Sequence, residues 1–214
     1  LRPDSSLGFL TKTPDEGYPN YRSKGQYFNE IDLSNRGFYG AGKLTYLSAT
    51  AQSKSFLFFL DSMNTNASDC AILKTALNPE VNAPAPYIHW SSYTDSMFIY
   101  KREKPLEMYG LQATHDGRLV YTPNDLTGRG STNFNNASHV SKYTKFNPDD
   151  FTADTASIRL NSSELSTFAL RGDNVKSKVD FASRRGTFLP NDKKQLVEFP
   201  FNQYKTSLNE FTWL

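Results

Sequence analysis

Apolar and polar residues alternate in short stretches along most of this chain, and that period of two predicts strands. Lys43-Leu44-Thr45-Tyr46-Leu47-Ser48 reads as a half-buried strand, with further strands at Ala71-Ile72-Leu73, Tyr87-Ile88-His89-Trp90 and Met97-Phe98-Ile99-Tyr100. Phe56-Leu57-Phe58-Phe59-Leu60 is a continuous apolar run that fits either a buried strand or the apolar part of a helix. Residues 113–121, with Asp116-Gly117 at the turn, predict a hairpin. Residues 123–145 are rich in Asn, Ser, Thr and Gly and predict a long loop, a kind of segment that is often functional. Asn147-Pro148-Asp149-Asp150 predicts the start of a short helix, Ser163 to Phe168 fits neither period, and Leu196 to Phe199 and Glu210 to Trp213 read as late strands. Residues 1–25, broken by Pro3, Pro14 and Pro19, predict an irregular N-terminal arm. No internal repeat is evident. The expected fold is mixed α/β (α+β): a strand-rich mixed β-sandwich with a few short peripheral helices, built by residues 26–214 as a single domain behind the arm.

Composition narrows the function classes. With 214 residues, 37% hydrophobic and 21% charged, the chain can bury one core. A net charge of +2, without a basic block interleaved with aromatics, gives no sign of a nucleic-acid partner. No apolar run approaches the length of a membrane-spanning helix. One cysteine excludes an internal disulfide framework and a cysteine-rich zinc site.

That cysteine, Cys70, and the histidine nineteen residues on, His89, are the first candidates for chemistry. A thiol needs a base to become a nucleophile near neutral pH, and a strand, a loop and a returning strand can bring one beside it. The competing reading is a small buried hydrophobe. Trp90 beside the histidine could help to dry such a site. Other motifs are weaker. Gly37-Phe38-Tyr39-Gly40-Ala41-Gly42-Lys43 has the glycines and lysine of a phosphate-binding loop, but Leu44 replaces the hydroxyl residue and a strand replaces the helix, so it reads as a glycine-rich turn. Arg171-Gly172-Asp173 is the tripeptide of integrin ligands. His89, His115 and His139 show no metal-ligand spacing, and the latter two read as solvated. No metal and no cofactor is expected. The three Asn-x-Ser sequons, at Asn66, Asn136 and Asn161, follow from composition.

Around Cys70 the sequence resembles the cytotoxic-necrotizing-factor-type glutamine deamidase toxins. The resemblance rests on Ala67-Ser68-Asp69-Cys70 after Phe56-Leu57-Phe58-Phe59, and on Pro86-Tyr87-Ile88-His89. It extends to Ile31-Asp32-Leu33-Ser34, to Ala41 through Leu47, and to Ser166-Thr167-Phe168-Ala169-Leu170-Arg171-Gly172-Asp173-Asn174. Asp69 stands where the family has glycine, Phe168 where it has tyrosine, and the interval from cysteine to histidine is longer. The resemblance implies a catalytic domain in which Cys70 attacks a glutamine carboxamide of a host protein, a translation factor or small GTPase, to form a thioester that water hydrolyses. His89 would be the base, Ser68 and Asp69 would shape the oxyanion site, and Ser62, Thr65, Phe168 and Trp90 would support it. A secreted or injected monomeric effector acting in the host cytosol is implied. The alternative is a non-enzymatic effector or RGD-type adhesion module on the same fold. A second is an ADP-ribosyltransferase-type toxin, for which no arginine, Ser-Thr-Ser and Glu-x-Glu set is present.

Overall fold

The computed structural model describes residues 2–3, 8–10, 20–23, 32–34, 37–59, 61–161 and 167–213. They form one antiparallel sheet of 21 strands, without a helix. The expected α/β mixture with peripheral helices is therefore corrected to an all-β fold. The anticipated helix start at Asn147 is a four-residue turn instead. The Asn147 amide donates to the Asp150 carbonyl (2.8 Å) and its side-chain amide donates to the Asp150 carboxylate (2.6 Å). With both of its polar groups spent inside one turn, Asn147 closes a hairpin rather than capping a helix.

Within the N-terminal arm, β1 (Arg2–Pro3), β2 (Gly8–Leu10), β3 (Asn20–Ser23) and β4 (Asp32–Ser34) are short strands. β1 pairs with β2 and β2 with β3, while β3 and β4 lie end to end along one edge of β5 (Gly37–Tyr46). The sheet continues through β6 (Ala49–Phe58), whose far edge is shared by β7 (Ser62–Asn66) and β8 (Asp69–Ile72). Next come β9 (Val81–Pro84) on β8 and β10 (Tyr87–Ser91) on β7, then β11 (Ser96–Tyr100) on β10 and β12 (Leu106–Met108) on β9. β13 (Ala113–Tyr121) pairs with both β11 and β12.

The meander then runs a second time. β14 (Leu126–Phe134), β15 (Ala137–Phe146), β16 (Asp150–Asn161) and β17 (Phe168–Asp180) pair in order. β18 (Arg185–Pro190) and β19 (Leu196–Phe199) both lie on β17, β20 (Tyr204–Ser207) lies on β19, and β21 (Phe211–Trp213) on β18. β13 and β14 form the seam between the two passes.

The two passes are an internal repeat that the sequence did not disclose. Ala137 follows Ala49 by 88 residues, and the register agrees at that spacing: Phe58 faces Met63 where Phe146 faces Phe151, and Ala51 faces Cys70 where His139 faces Ile158. β6 and β15 share almost one burial pattern. Left-handed residues recur in matching turns, as Leu47 with Asn135, Ala85 with Asn174, Asp95 with Arg184 and Leu111 with Gln203.

Bulges explain which residues the repeat retains. Gly40-Ala41-Gly42 and Gly128-Arg129-Gly130 each carry a register shift in the first strand of their pass. In the next strand, the Ser53 hydroxyl accepts from the Ser55 amide (3.0 Å) and donates to the Asn66 carbonyl (3.1 Å). Ser141 does the same with the Tyr143 amide (3.1 Å) and the Thr155 carbonyl (2.7 Å). Each serine replaces the ladder bonds that its bulge interrupts, so Ser-Lys persists at 53–54 and 141–142 while other positions drift.

Two further expectations change. Residues 113–121 are one strand, not a hairpin. A Cβ on Gly117 would lie 2.2 Å from the Arg129 carbonyl oxygen, so this glycine serves close strand approach rather than a turn. The predicted loop 123–145 is largely β14 and β15. The core between the curled faces is aromatic in the second pass, where Phe134, Phe146, Phe151 and Phe181 meet at centroid distances of 5.7–6.1 Å.

Candidate functional site

Cys70 lies in the middle of the sheet, between Ala51 of β6 and Ala83 of β9, and is 1% exposed. Burial, and then the neighbouring charge of Asp69, push its thiol up to about 12. At that value about one thiol in 10⁴ to 10⁵ is ionised at neutral pH, the reverse of an activated nucleophile.

His89 does not meet it. On β10 the inward residues are Ile88 and Trp90, so His89 points outward, between Asn64 and Phe98 on the flanking strands. Its Nδ1 lies 2.7 Å from Asn64 Oδ1, which also accepts from the Tyr87 hydroxyl (2.8 Å). The thiol and the imidazole are on opposite faces of the sheet, so proton transfer between them has no path.

The supporting residues fall elsewhere too. The amide and hydroxyl of Ser68 both donate to the Gln52 carbonyl (2.8 and 3.1 Å). Asp69 and Cys70 are paired on both sides within the ladder, so this backbone is not an open oxyanion hole. Thr65 is buried and donates to Ser53 Oγ (2.7 Å) and the Ser55 carbonyl (2.8 Å), holding the first-pass bulge. Ser62 bonds its neighbour Asp61 (3.3 Å), and Trp90 is a core residue. Phe168 lies in the other pass, with the Arg159 guanidinium 5.3 Å over its ring. Residues 162–166, which carry the start of the Ser166 to Asn174 stretch and part of the Asn161 sequon, lie outside the described residues.

The remaining motifs are also reassigned. Arg171-Gly172-Asp173 sits within β17, where the Arg171 Nε donates to Asp173 Oδ2 (3.0 Å). A Cβ on Gly172 would lie 3.1 Å from the Phe211 ring. The tripeptide is a packed strand with its charges paired to each other, not a presented loop. Gly40 to Gly42 is a bulged strand without a helix to receive a phosphate. His115 and His139, expected in solvent, are fully buried, and burial lowers both to about 4.

A concavity lies on the outer face of β14–β17, along the line of bulges. It has a volume of about 850 Å³, with Arg129, Val140, Lys142, Tyr143, Asp154 and Asn174 among its lining. The Ser141 bulge makes Lys142 and Tyr143 consecutive outward residues. Tyr143 is 59% exposed and Val140 42%, an unusual apolar pair for an outer sheet face. Asp154 faces Lys176 at 3.7 Å, whereas no carboxylate among the described residues forms an ion pair with Arg129 or Lys142. The first pass carries a smaller counterpart of about 290 Å³, lined by Ser53, Lys54, Ser55, Asn64, Asn66 and Tyr87. The sequence reading missed this groove. Its trace is a Gly-x-Gly followed eleven residues later by Ser-Lys, present twice.

Among the described residues there is no cluster of three or more His, Cys, Asp or Glu suited to a metal, and no helix long and apolar enough to cross a membrane. Comparison with protein-family models, curated proteins and solved structures returns no match for this chain.

Proposed function

We propose that this chain is a non-enzymatic binding module whose groove on β14–β17 takes an extended acidic segment of a protein partner. The observation that carries this reading is the row Arg129, Lys142, Tyr143 and Val140: two cations without carboxylate partners among the described residues, beside an exposed aromatic and an exposed aliphatic side chain. The cations supply steering and charge-assisted hydrogen bonds, and the apolar pair supplies contact area. The deamidase chemistry implied by the resemblance draws no support from this geometry, because it needs a thiolate and a base on one face.

One set of measurements separates the two. Labelled peptides of equal length, acidic or basic, are titrated with the chain and read by fluorescence anisotropy. Acidic peptides are expected to bind saturably, and Arg129→Ser with Lys142→Ser to weaken them by about tenfold or more, with Tyr143→Ala acting in the same direction. Equal binding of acidic and basic peptides would sink the groove reading. A thiol probe is expected to label Cys70 only as fast as the chain unfolds. Rapid labelling at neutral pH, together with ammonia release from a glutamine substrate that Cys70→Ala abolishes, would restore the enzyme.

A further inference from the structure

The repeat makes each strand of one pass a control for its counterpart in the other, and at one place the two differ. In the first pass the terminal strand β13 is covered along its outer edge by β14. Its counterparts in the second pass are β20 and β21. Met108 facing Ala113 and Leu106 facing His115 correspond to Phe199 facing Tyr204 and Val197 facing Thr206. Ile99 facing Leu119 corresponds to Phe188 facing Phe211. Beyond β20 and β21 no strand pairs among the described residues. The complementary edge occurs twice and is covered both times, β14 by β13 and β5 by β3 and β4.

Burial follows the same division. Ala113, Leu119 and Met108 are buried, at 1% or less, while Tyr204 is 56% exposed and Phe211 and Phe199 are only half-buried. The Phe199 and Tyr204 rings lie together at 6.1 Å, with exposed Leu196 and Phe201 nearby in sequence. Residues whose counterparts are sealed into the core thus form a partly wetted apolar margin beside an unpaired backbone edge, the combination that strand addition uses.

We propose that the outer edge of β20 and β21 accepts an extended, antiparallel strand of a partner polypeptide patterned like β14. The sealed seam states the chemistry of that strand. A Cβ on Gly128 would lie 3.0 Å from the Leu119 side chain opposite and 2.7 Å from the Phe146 ring. At the open edge the residue opposite is Phe211, which is larger than leucine, so the guest strand needs glycine there. By the same correspondence, the guest residue equivalent to Asn133, which faces Thr114 in the seam, comes to lie opposite Lys205. This edge is separate from the β14–β17 groove, and neither proposal depends on the other.

The test uses the full chain and a labelled peptide of residues 126–134, Leu-Thr-Gly-Arg-Gly-Ser-Thr-Asn-Phe. Saturable binding is expected by anisotropy, weakened about tenfold or more when the peptide glycine equivalent to Gly128 becomes valine. In a Cys70→Ser background, the Lys205→Cys thiolate is expected to displace thionitrobenzoate from a peptide whose cysteine, at the Asn133 position, is supplied as that mixed disulfide, at least about tenfold faster than from one with the same group at the Thr127 position. Lys205 is exposed, and an unchanged melting temperature would confirm that the variant folds. Absence of saturation, or cross-linking indifferent to position, would overturn the proposal. So would sedimentation showing a dimer that excludes the peptide, because the edge would then belong to a second copy.

Discussion

Acidification tests the reading of the second-pass core most directly. His115 and His139 face Thr132 from the two strands that flank it. His115 Nδ1 lies 3.1 Å from Thr132 Oγ1 and its ring meets Phe146 at 5.4 Å, while His139 Nε2 lies 2.8 Å from Ser177 Oγ beside Phe151 at 4.8 Å. Burial lowers both imidazoles to about 4, from 6.5. Between these values the unfolded chain binds protons that the folded chain refuses. The stabilisation is therefore complete above pH 6.5 and is lost as the pH falls toward 4. At pH 5 each histidine accounts for a loss of about 2 kcal/mol, so the pair removes about 4 kcal/mol, a large share of the stability of an ordinary domain. Urea unfolding from pH 8 to 4.5 is the assay. Near pH 5.3 the stability is expected to fall by about 2.7 kcal/mol per pH unit, the uptake of two protons. His139→Leu is expected to halve that slope whatever it does to absolute stability, since the equivalent position in the first pass is the apolar Ala51. A slope of less than one proton between pH 5 and 6 would refute the burial argument.

Two other perturbations probe the strand architecture. Gly117→Ala places its methyl group against the backbone of β14, and is expected to cost about 2–4 kcal/mol by thermal or urea unfolding. Gly110→Ala, at φ +61° with no atom within 4 Å of the added carbon, is expected to cost only about 1 kcal/mol, and the reverse order would contradict the close-approach argument. Ser53→Ala and Ser141→Ala each unmake the hydroxyl bonds that close a bulge, and each is expected to cost about 1–2 kcal/mol. A neutral effect at either site would mean that the bulge does not need its serine.

The strands that the sequence disclosed are those in which one face is buried without interruption. Leu44 and Tyr46, Ile88 and Trp90, and Met97 and Ile99 alternate cleanly, and all were legible. The pattern failed where bulges break the period of two. Ser141-Lys142-Tyr143 inserts an outward residue, and the inward positions of β14 include Gly128 and Thr132 rather than large apolar side chains, so β14 and β15 looked like one polar loop. Glycine at 117 carries the same letter whether it makes a turn or admits a neighbouring backbone, and only the partner strand distinguishes the two. His115 read as solvated because Asp116 follows it, and His139 because it lies in a polar stretch, yet the residues on either side of each histidine point to the other face. The repeat stayed hidden because alternation can be met by any apolar residue, leaving few common letters, among them the glycines, serines and lysines at the bulges and Ala49/Ala137 and Phe58/Phe146 at the strand ends.

The separation of Cys70 from His89 has the same origin. On β9 the inward residues are the odd-numbered Val81 and Ala83, and Ala83 faces Cys70. Had the chain kept its period, His89 would have turned to that same inner face. Ala85, with φ +48°, breaks the period before β10, and there the inward residues become the even-numbered Ile88 and Trp90. The second pass makes the same change at Asn174, φ +49°, where inward Leu170 and Gly172 give way to Val175, Ser177 and Val179. A reversal of face at the matching residue of both passes is a property of the repeat rather than of one strand. It keeps the apolar side chains inward across the bend, and in doing so it places the cysteine and the histidine on opposite sides of the sheet. Bringing them together would require slipping β10 by one residue, which would turn Ile88 and Trp90 out into water. Exposing two such side chains costs about 3–6 kcal/mol before any ladder bond is lost.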